Sequence, residues 1–237
     1  MNCLTVENLT VEYSGRRVLG PISWKPEGRL VGIIGPNGVG KTTLLMAIAG
    51  VTHRKGRVST CSRPAFMPAQ PMVDPLARVR DVIAAGLYGV SPDPNHVSHI
   101  IERMGIEGFL DRRFGSLSSG EKRLVCIART LARKSKVVLL DEPLSFLDVS
   151  NQARVLQVLR EYAEMVEGVV LATTHELHYL VYFDTILLLF KGRVAYSGDP
   201  ASLGGEVLER VYGVEIEMLH PGIFVPKPLL EGRPSGR

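Results

Sequence analysis

The sequence predicts an α/β fold: a mainly parallel sheet, an antiparallel β portion at the N-terminal end, and a helical subdomain inserted at about residues 72–133. Three observations predict it. Short apolar runs recur at Leu30–Ile34, Val137–Leu140, Val169–Ala172 and Thr185–Leu189. Runs without a polar face suit strands covered on both sides, as in parallel sheets. Helical periods separate several of these runs, and alternation of strands with helices argues for crossover units. Residues 4–13 (LTVENLTVEY) instead alternate apolar with polar, the pattern of a half-buried strand.

The elements follow in order. Ser14-Gly15-Arg16 turns the chain, and Val18–Trp24 returns as a second strand, with Trp24 assigned to core or hairpin packing. Leu30–Ile34 runs into a glycine-rich loop, and Thr42–Ala49 reads as a helix stopped by Gly50. Residues 56–68 hold two short strands, and helical periods dominate from Val79 to Arg133. Asn151–Val166 places Leu156, Leu159, Ala163 and Val166 on one helical face. No internal repeat is visible.

Composition narrows the function classes. Of 237 residues, 45% are hydrophobic and 22% charged, which is ordinary for a globular chain and excludes disorder as its main state. The net charge of +4 is too mild, and the basic residues too scattered, for a nucleic-acid partner. Cys3, Cys61 and Cys126 show no CxxC spacing and read as free thiols of a reducing cytosol. His96 and His99 stand three apart with no third ligand in view and read as a solvated helix face. The N-terminus shows neither a basic region nor an apolar core of the secretory kind. The longest apolar run, Thr185–Phe190, is far below the roughly 20 residues that cross a bilayer. Any membrane connection is therefore expected to run through a partner.

Chemistry concentrates in two places. Gly35-Pro36-Asn37-Gly38-Val39-Gly40-Lys41-Thr42-Thr43 fits G-x-x-x-x-G-K-[ST] between a strand and a helix. Glycines let successive backbone N–H groups turn toward an anion, and the helix N-terminus adds partial positive charge. Lys41 is placed to reach β/γ-phosphates, and the Thr42 hydroxyl to bind Mg2+. Asp141 and Glu142 end an apolar strand, where ligands of parallel sheets gather. Asp141 is expected to hold Mg2+ through water, and Glu142 to polarise the attacking water as general base.

Further motifs carry a resemblance. Leu117-Ser118-Ser119-Gly120-Glu121, between the phosphate loop and Asp141, resembles the LSGGE/LSGGQ signature of ABC-type ATPases. Ser145-Phe146-Leu147-Asp148 resembles their D-loop, and His175 in Thr173-Thr174-His175-Glu176 their switch histidine. Tyr13 stands where the family has its adenine-stacking aromatic. Ser119 replaces a commoner glycine but keeps the backbone N–H, and Leu124 replaces a common arginine, a change of packing rather than chemistry. In Phe66-Met67-Pro68-Ala69-Gln70 the glutamine is offset by one residue; Gln70 is assigned to the glutamine loop, and Ala69 is the alternative.

The resemblance implies a phosphate-loop NTPase core forming one ATPase domain over residues 1–237, with a C-terminal extension at about 200–237. It implies ATP and Mg2+ as cofactors. Glu142, His175, Gln70 and Lys41 would act in catalysis, and Thr42, Gln70 and Asp141 would face the metal. Tyr13, residues 35–43, Ser118, Ser119, Gly120 and Asp148 would bind nucleotide. Two chains would pair head to tail with ATP between the phosphate loop of one and the signature of the other. Val79–Gly86 resembles a segment of importer cassettes, and Gly192–Pro200 with Val207–Val214 resembles cassettes importing iron complexes, vitamin B12 or related metal ligands. Permease subunits, and indirectly a solute-binding protein, are then the expected partners, at the cytoplasmic face of the membrane. An ABC ATPase of a non-transport machine, such as iron–sulfur assembly, is the alternative. Exposed apolar residues near Met72 and Leu76 are expected to meet the permease.

Overall fold

A computed structural model describes residues 3–227. Of the C-terminal extension read from the sequence, residues 228–237 lie outside the described residues. Eleven strands and six α-helices are present among the described residues. The central sheet has six strands in the order β5 (Ala65–Met67), β6 (Val137–Leu140), β7 (Val169–Thr173), β3 (Leu30–Ile34), β8 (Thr185–Phe190), β9 (Arg193–Gly198). All neighbours pair in parallel except β8 and β9. β1 (Leu4–Tyr13) pairs antiparallel with both β2 (Arg16–Trp24) and β4 (Lys55–Thr60) in a separate three-stranded sheet.

The parallel strands have no polar face because both faces are covered. Side chains alternate across a strand, so Val137 and Leu139 enter one core and Val138 and Leu140 the other. The first core holds the inner face of the three-stranded sheet and α1 (Lys41–Ala49), including Leu44, Leu45 and Ile48. The second core takes α2 (Val79–Ala85), α3 (Pro94–Met104), α4 (Ser119–Leu131), α5 (Val149–Met165) and α6 (Gly205–Tyr212). The four residues read as one face of α5, Leu156, Leu159, Ala163 and Val166, are all buried there. Leu124 is also buried in this core, and Trp24 is buried in the first, its Nε1–H donating to Ser197 Oγ at 3.0 Å. β10 (Ile216–His220) and β11 (Ile223–Pro226) close a small hairpin. Among the described residues no helix is long and apolar enough to cross a membrane.

Two readings of the sequence are corrected. Cys3 and Cys61 are bonded to each other, and only Cys126 is a free, buried thiol. The antiparallel register pairs Leu4 with Thr60, which sets Cys3 opposite Cys61 at the strand ends, Cα atoms 4.6 Å apart. His96 is buried, not solvated: its Nε2–H donates to the Leu131 carbonyl at 2.9 Å and its ring lies 5.9 Å from that of Tyr162. His99 is exposed as expected. No group of three or more metal-ligating side chains gathers there or elsewhere among the described residues.

The bridge predicts a measurable stability difference. It closes a loop of sequence separation 58. The chain-entropy model assigns such a loop about 4 kcal/mol. Reduction is expected to lower the melting temperature by about 10 °C, since a chain of this size loses about 2–4 °C per kcal/mol. Calorimetry with and without a phosphine reductant measures it, and identical melts would show that the two thiols are not joined in solution.

Candidate active site

The phosphate loop spans the gap between β3 and α1. Gly35 has φ 141°, and a Cβ there would run into the Leu189 carbonyl of the neighbouring strand, so only glycine fits. Gly40 is the N-cap of α1, whose first N–H groups therefore open toward the loop. Pro36, Asn37, Gly38 and Val39 form the rim, with Asn37 and Gly38 exposed.

Lys41, the first helical residue, is folded back beneath this rim and buried. Its Nζ donates to the carbonyls of Gly35 at 2.6 Å and Pro36 at 3.1 Å. An ammonium has three donors, so two hold the loop and one remains for a ligand. Burial pushes the lysine pKa down, while the Glu142 and Asp141 carboxylates act in the opposite direction. Thr43 follows on the same helix and is half-buried.

The strand-end carboxylates meet this loop directly. Thr42 Oγ1 donates to Asp141 Oδ2 at 2.7 Å, and Thr173 Oγ1 donates to Asp141 Oδ1 at 2.7 Å. Thr173 ends β7, the strand next to β6, and also accepts the Glu142 N–H at 2.7 Å. One hydroxyl thus ties both acidic residues to the sheet. Glu142 has φ 51°, a left-handed conformation that costs a non-glycine residue about 1–2 kcal/mol. Glu142 Oε2 accepts from Ser145 Oγ at 3.2 Å, and Oε1 lies 3.7 Å from His175 Nδ1.

The structure therefore gathers Lys41, Thr42, Asp141, Glu142 and His175. Tyr13, at the end of β1, is partly exposed and its hydroxyl pairs with Thr52 Oγ1 at 3.0 Å, which leaves the ring free of the core. Gln70 is exposed on the loop after β5, and its side chain makes no hydrogen bond among the described residues. Ser118, Ser119 and Gly120 form the N-terminus of α4, with Ser118 and Glu121 capping each other reciprocally. Asp148 caps α5 through the Asn151 N–H at 2.8 Å. No hydrogen bond or ion pair joins residues 118–120 to the phosphate loop among the described residues. Thr173 was not read from the sequence as a site residue, although it immediately precedes Thr174-His175 at a strand end.

A ring of backbone N–H groups at a helix start, a buried cation and a hydroxyl–carboxylate pair make a receptor for a nucleotide phosphate chain. The chain belongs to the ABC transporter family, whose profile matches residues 21–145. It is 34% identical over 222 residues to a protein named cobalamin import ATP-binding protein BtuD from Halobacterium salinarum, covering 84% of this chain and 56% of that protein. The chain thus spans about half the length of that relative. It is 33% identical over 241 residues to the hemin import ATP-binding protein HmuV of Rhodococcus jostii, covering 92% and 82% of the two. Its fold matches a solved transporter chain described as metal-chelate type, in an inward-facing conformation, with TM-score 0.80 and 27% identity over 96% of this chain and 98% of the other. It also matches cbiO1 of Clostridium perfringens, part of the cbiONQ transporter complex, with TM-score 0.71 and 26% identity over 90% and 91%.

Proposed function

We propose that the chain binds and hydrolyses ATP and powers an ABC-type importer of iron complexes, vitamin B12 or a related metal ligand. The contact between Thr42 and Asp141 carries the nucleotide reading: it brings an oxygen of the phosphate loop and a strand-end carboxylate oxygen within 2.7 Å. Two hard oxygen donors at a phosphate cradle fit Mg2+, which binds through one or two carboxylates plus substrate phosphates and keeps several waters. When bound, the ion would neutralise charge on the β- and γ-phosphates.

The residues divide the work. Backbone N–H groups of 35–43 hold the phosphates, Lys41 adds its third donor, and Tyr13 stacks on the base. Glu142 orients and deprotonates water, while His175 faces the γ-phosphate and Gln70 faces the metal and the attacking water. Among the described residues the signature at 118–120 makes no hydrogen bond or ion pair with the chain's own phosphate loop, which supports a head-to-tail homodimer in which each ATP is completed by Ser118, Ser119, Gly120 and Asp148 of the opposite copy. Charged hydrogen bonds of about 1.5–3 kcal/mol each would close such a dimer, and hydrolysis would release it.

The names of the relatives support the import reading, with permease subunits as direct partners at the cytoplasmic face and a solute-binding protein as an indirect one. A groove of about 400 Å3 runs between β5 and the helical region, lined by Phe66, Pro71, Met72, Ala85 and Tyr88 with Arg129 at its side. Met72 is 97% exposed and Leu76 is 68% exposed, whereas Val79, Val82 and Ile83 pack inward. A short permease helix is proposed to cover this groove. Changing both Met72 and Leu76 to Asp is expected to leave ATP binding by the chain intact and to abolish copurification with the permease from membranes. Unaltered assembly would refute the docking surface.

A further inference from the structure

Arg123 lies one turn into α4 and is 6% exposed, an unusual place for a guanidinium. Its Nη2–H donates to the Ala69 carbonyl at 2.9 Å, in the loop that bears Gln70. Its Cζ lies 5.6 Å from the centre of the Phe146 ring, within cation–π range. Phe146 is 72% exposed and has φ 68°, so a strained residue holds an open ring against a buried cation. The two segments are also in close backbone approach, since a Cβ on Gly120 would lie 3.0 Å from the Phe146 carbonyl. Burial pushes the Arg123 pKa down, and the Glu142 and Asp141 carboxylates act the other way.

The guanidinium fork is not fully paired. Arg123 Nη1 is buried without a hydrogen-bond partner. In a finished core nearly every buried polar atom is paired. An arginine kept only for packing would be expected to satisfy its fork, so the orphan donor points to a second arrangement of the surrounding loops in which an acceptor reaches it.

We propose that Arg123 is a positioning residue for ATP turnover: it ties the 69–70 loop and the 145–148 loop to the helix that begins at 118–120, so that the three segments shift together. The proposal rests on the assignment of Gln70 and Glu142 given above, and it makes no contact with nucleotide necessary.

Arg123→Lys keeps the charge but not the planar fork, so it cannot both reach the Ala69 carbonyl and lie against the Phe146 ring. In the purified full chain, kcat for ATP is expected to fall about tenfold, with KM unchanged within about twofold and the melting temperature within about 3 °C. Gln70→Ala is expected to lower kcat as well, and the double variant to fall no further than the worse single one, because both act through one loop. Native kcat in Arg123→Lys, or a fully multiplicative loss in the double variant, overturns the proposal. Should Arg123→Lys melt far below the native chain, Phe146→Leu carries the test by altering only an exposed ring: about a threefold loss of kcat is expected, and native kcat overturns the proposal. If Gln70→Ala alone turns over at the native rate, the assignment of Gln70 is what fails. Arg123→Lys and Phe146→Leu must then be non-additive, and independence overturns the proposal.

Discussion

Glu142→Gln is expected to lower ATP turnover by about 10²–10⁴-fold, the range of a general base, while ATP binding persists. The amide has the shape of the carboxylate and can still accept from Ser145 Oγ, and the backbone N–H bond to Thr173 is untouched. The left-handed turn at residue 142 should therefore hold. What disappears is the only charge at this position able to accept a proton from water. If the head-to-tail arrangement is right, the variant should also accumulate as an ATP-bound dimer, because association continues and hydrolysis no longer ends it. Phosphate release measures the first effect and light scattering with and without ATP the second. An unaltered hydrolysis rate would sink the general-base assignment. A lost rate with no added dimer would keep the base and remove the interfacial role of ATP.

Lys41→Met is expected to act one step earlier. Methionine matches the stem in length and suits the buried position, so the fold should survive. Two bonds to the Gly35 and Pro36 carbonyls vanish, and with them the donor that remains for phosphate. A hydrogen bond to a charged group is worth about 1.5–3 kcal/mol, so ATP affinity should weaken roughly 10–150-fold at about 1.4 kcal/mol per tenfold. Titration of the variant with ATP by calorimetry checks this. A dissociation constant within about threefold of the native one would show that the loop backbone alone holds the phosphates.

The nucleotide end of the molecule was legible because its geometry is local. Residues 35–43 are contiguous, and glycines before a lysine at a helix start have few other uses. Asp141 and Glu142 were legible because a buried parallel strand delivers its last residues to one side of the sheet. The four buried strands were likewise readable from unbroken apolar runs. The role of Thr173 was not legible, because it depends on β6 and β7 being neighbours, and sheet order is set by crossovers that pass between distant segments. Nor was the burial of His96: the residue is polar in the sequence, and only the packing of α3 across the end of α4 brings the Leu131 carbonyl to its ring.

The amino-acid sequence by itself determined the α/β class, the phosphate cradle, the acidic strand end and the family resemblance, since each resides in a short stretch whose backbone path follows from its own residues. Tertiary structure alone decided which cysteines pair and where the Arg123 guanidinium points. Cys3 and Cys61 meet through the register of two strands 58 residues apart. Arg123 reaches Ala69 across 54 residues of chain. Such contacts depend on how whole elements are stacked, because burial of their apolar faces and not any local preference fixes where their polar side chains arrive.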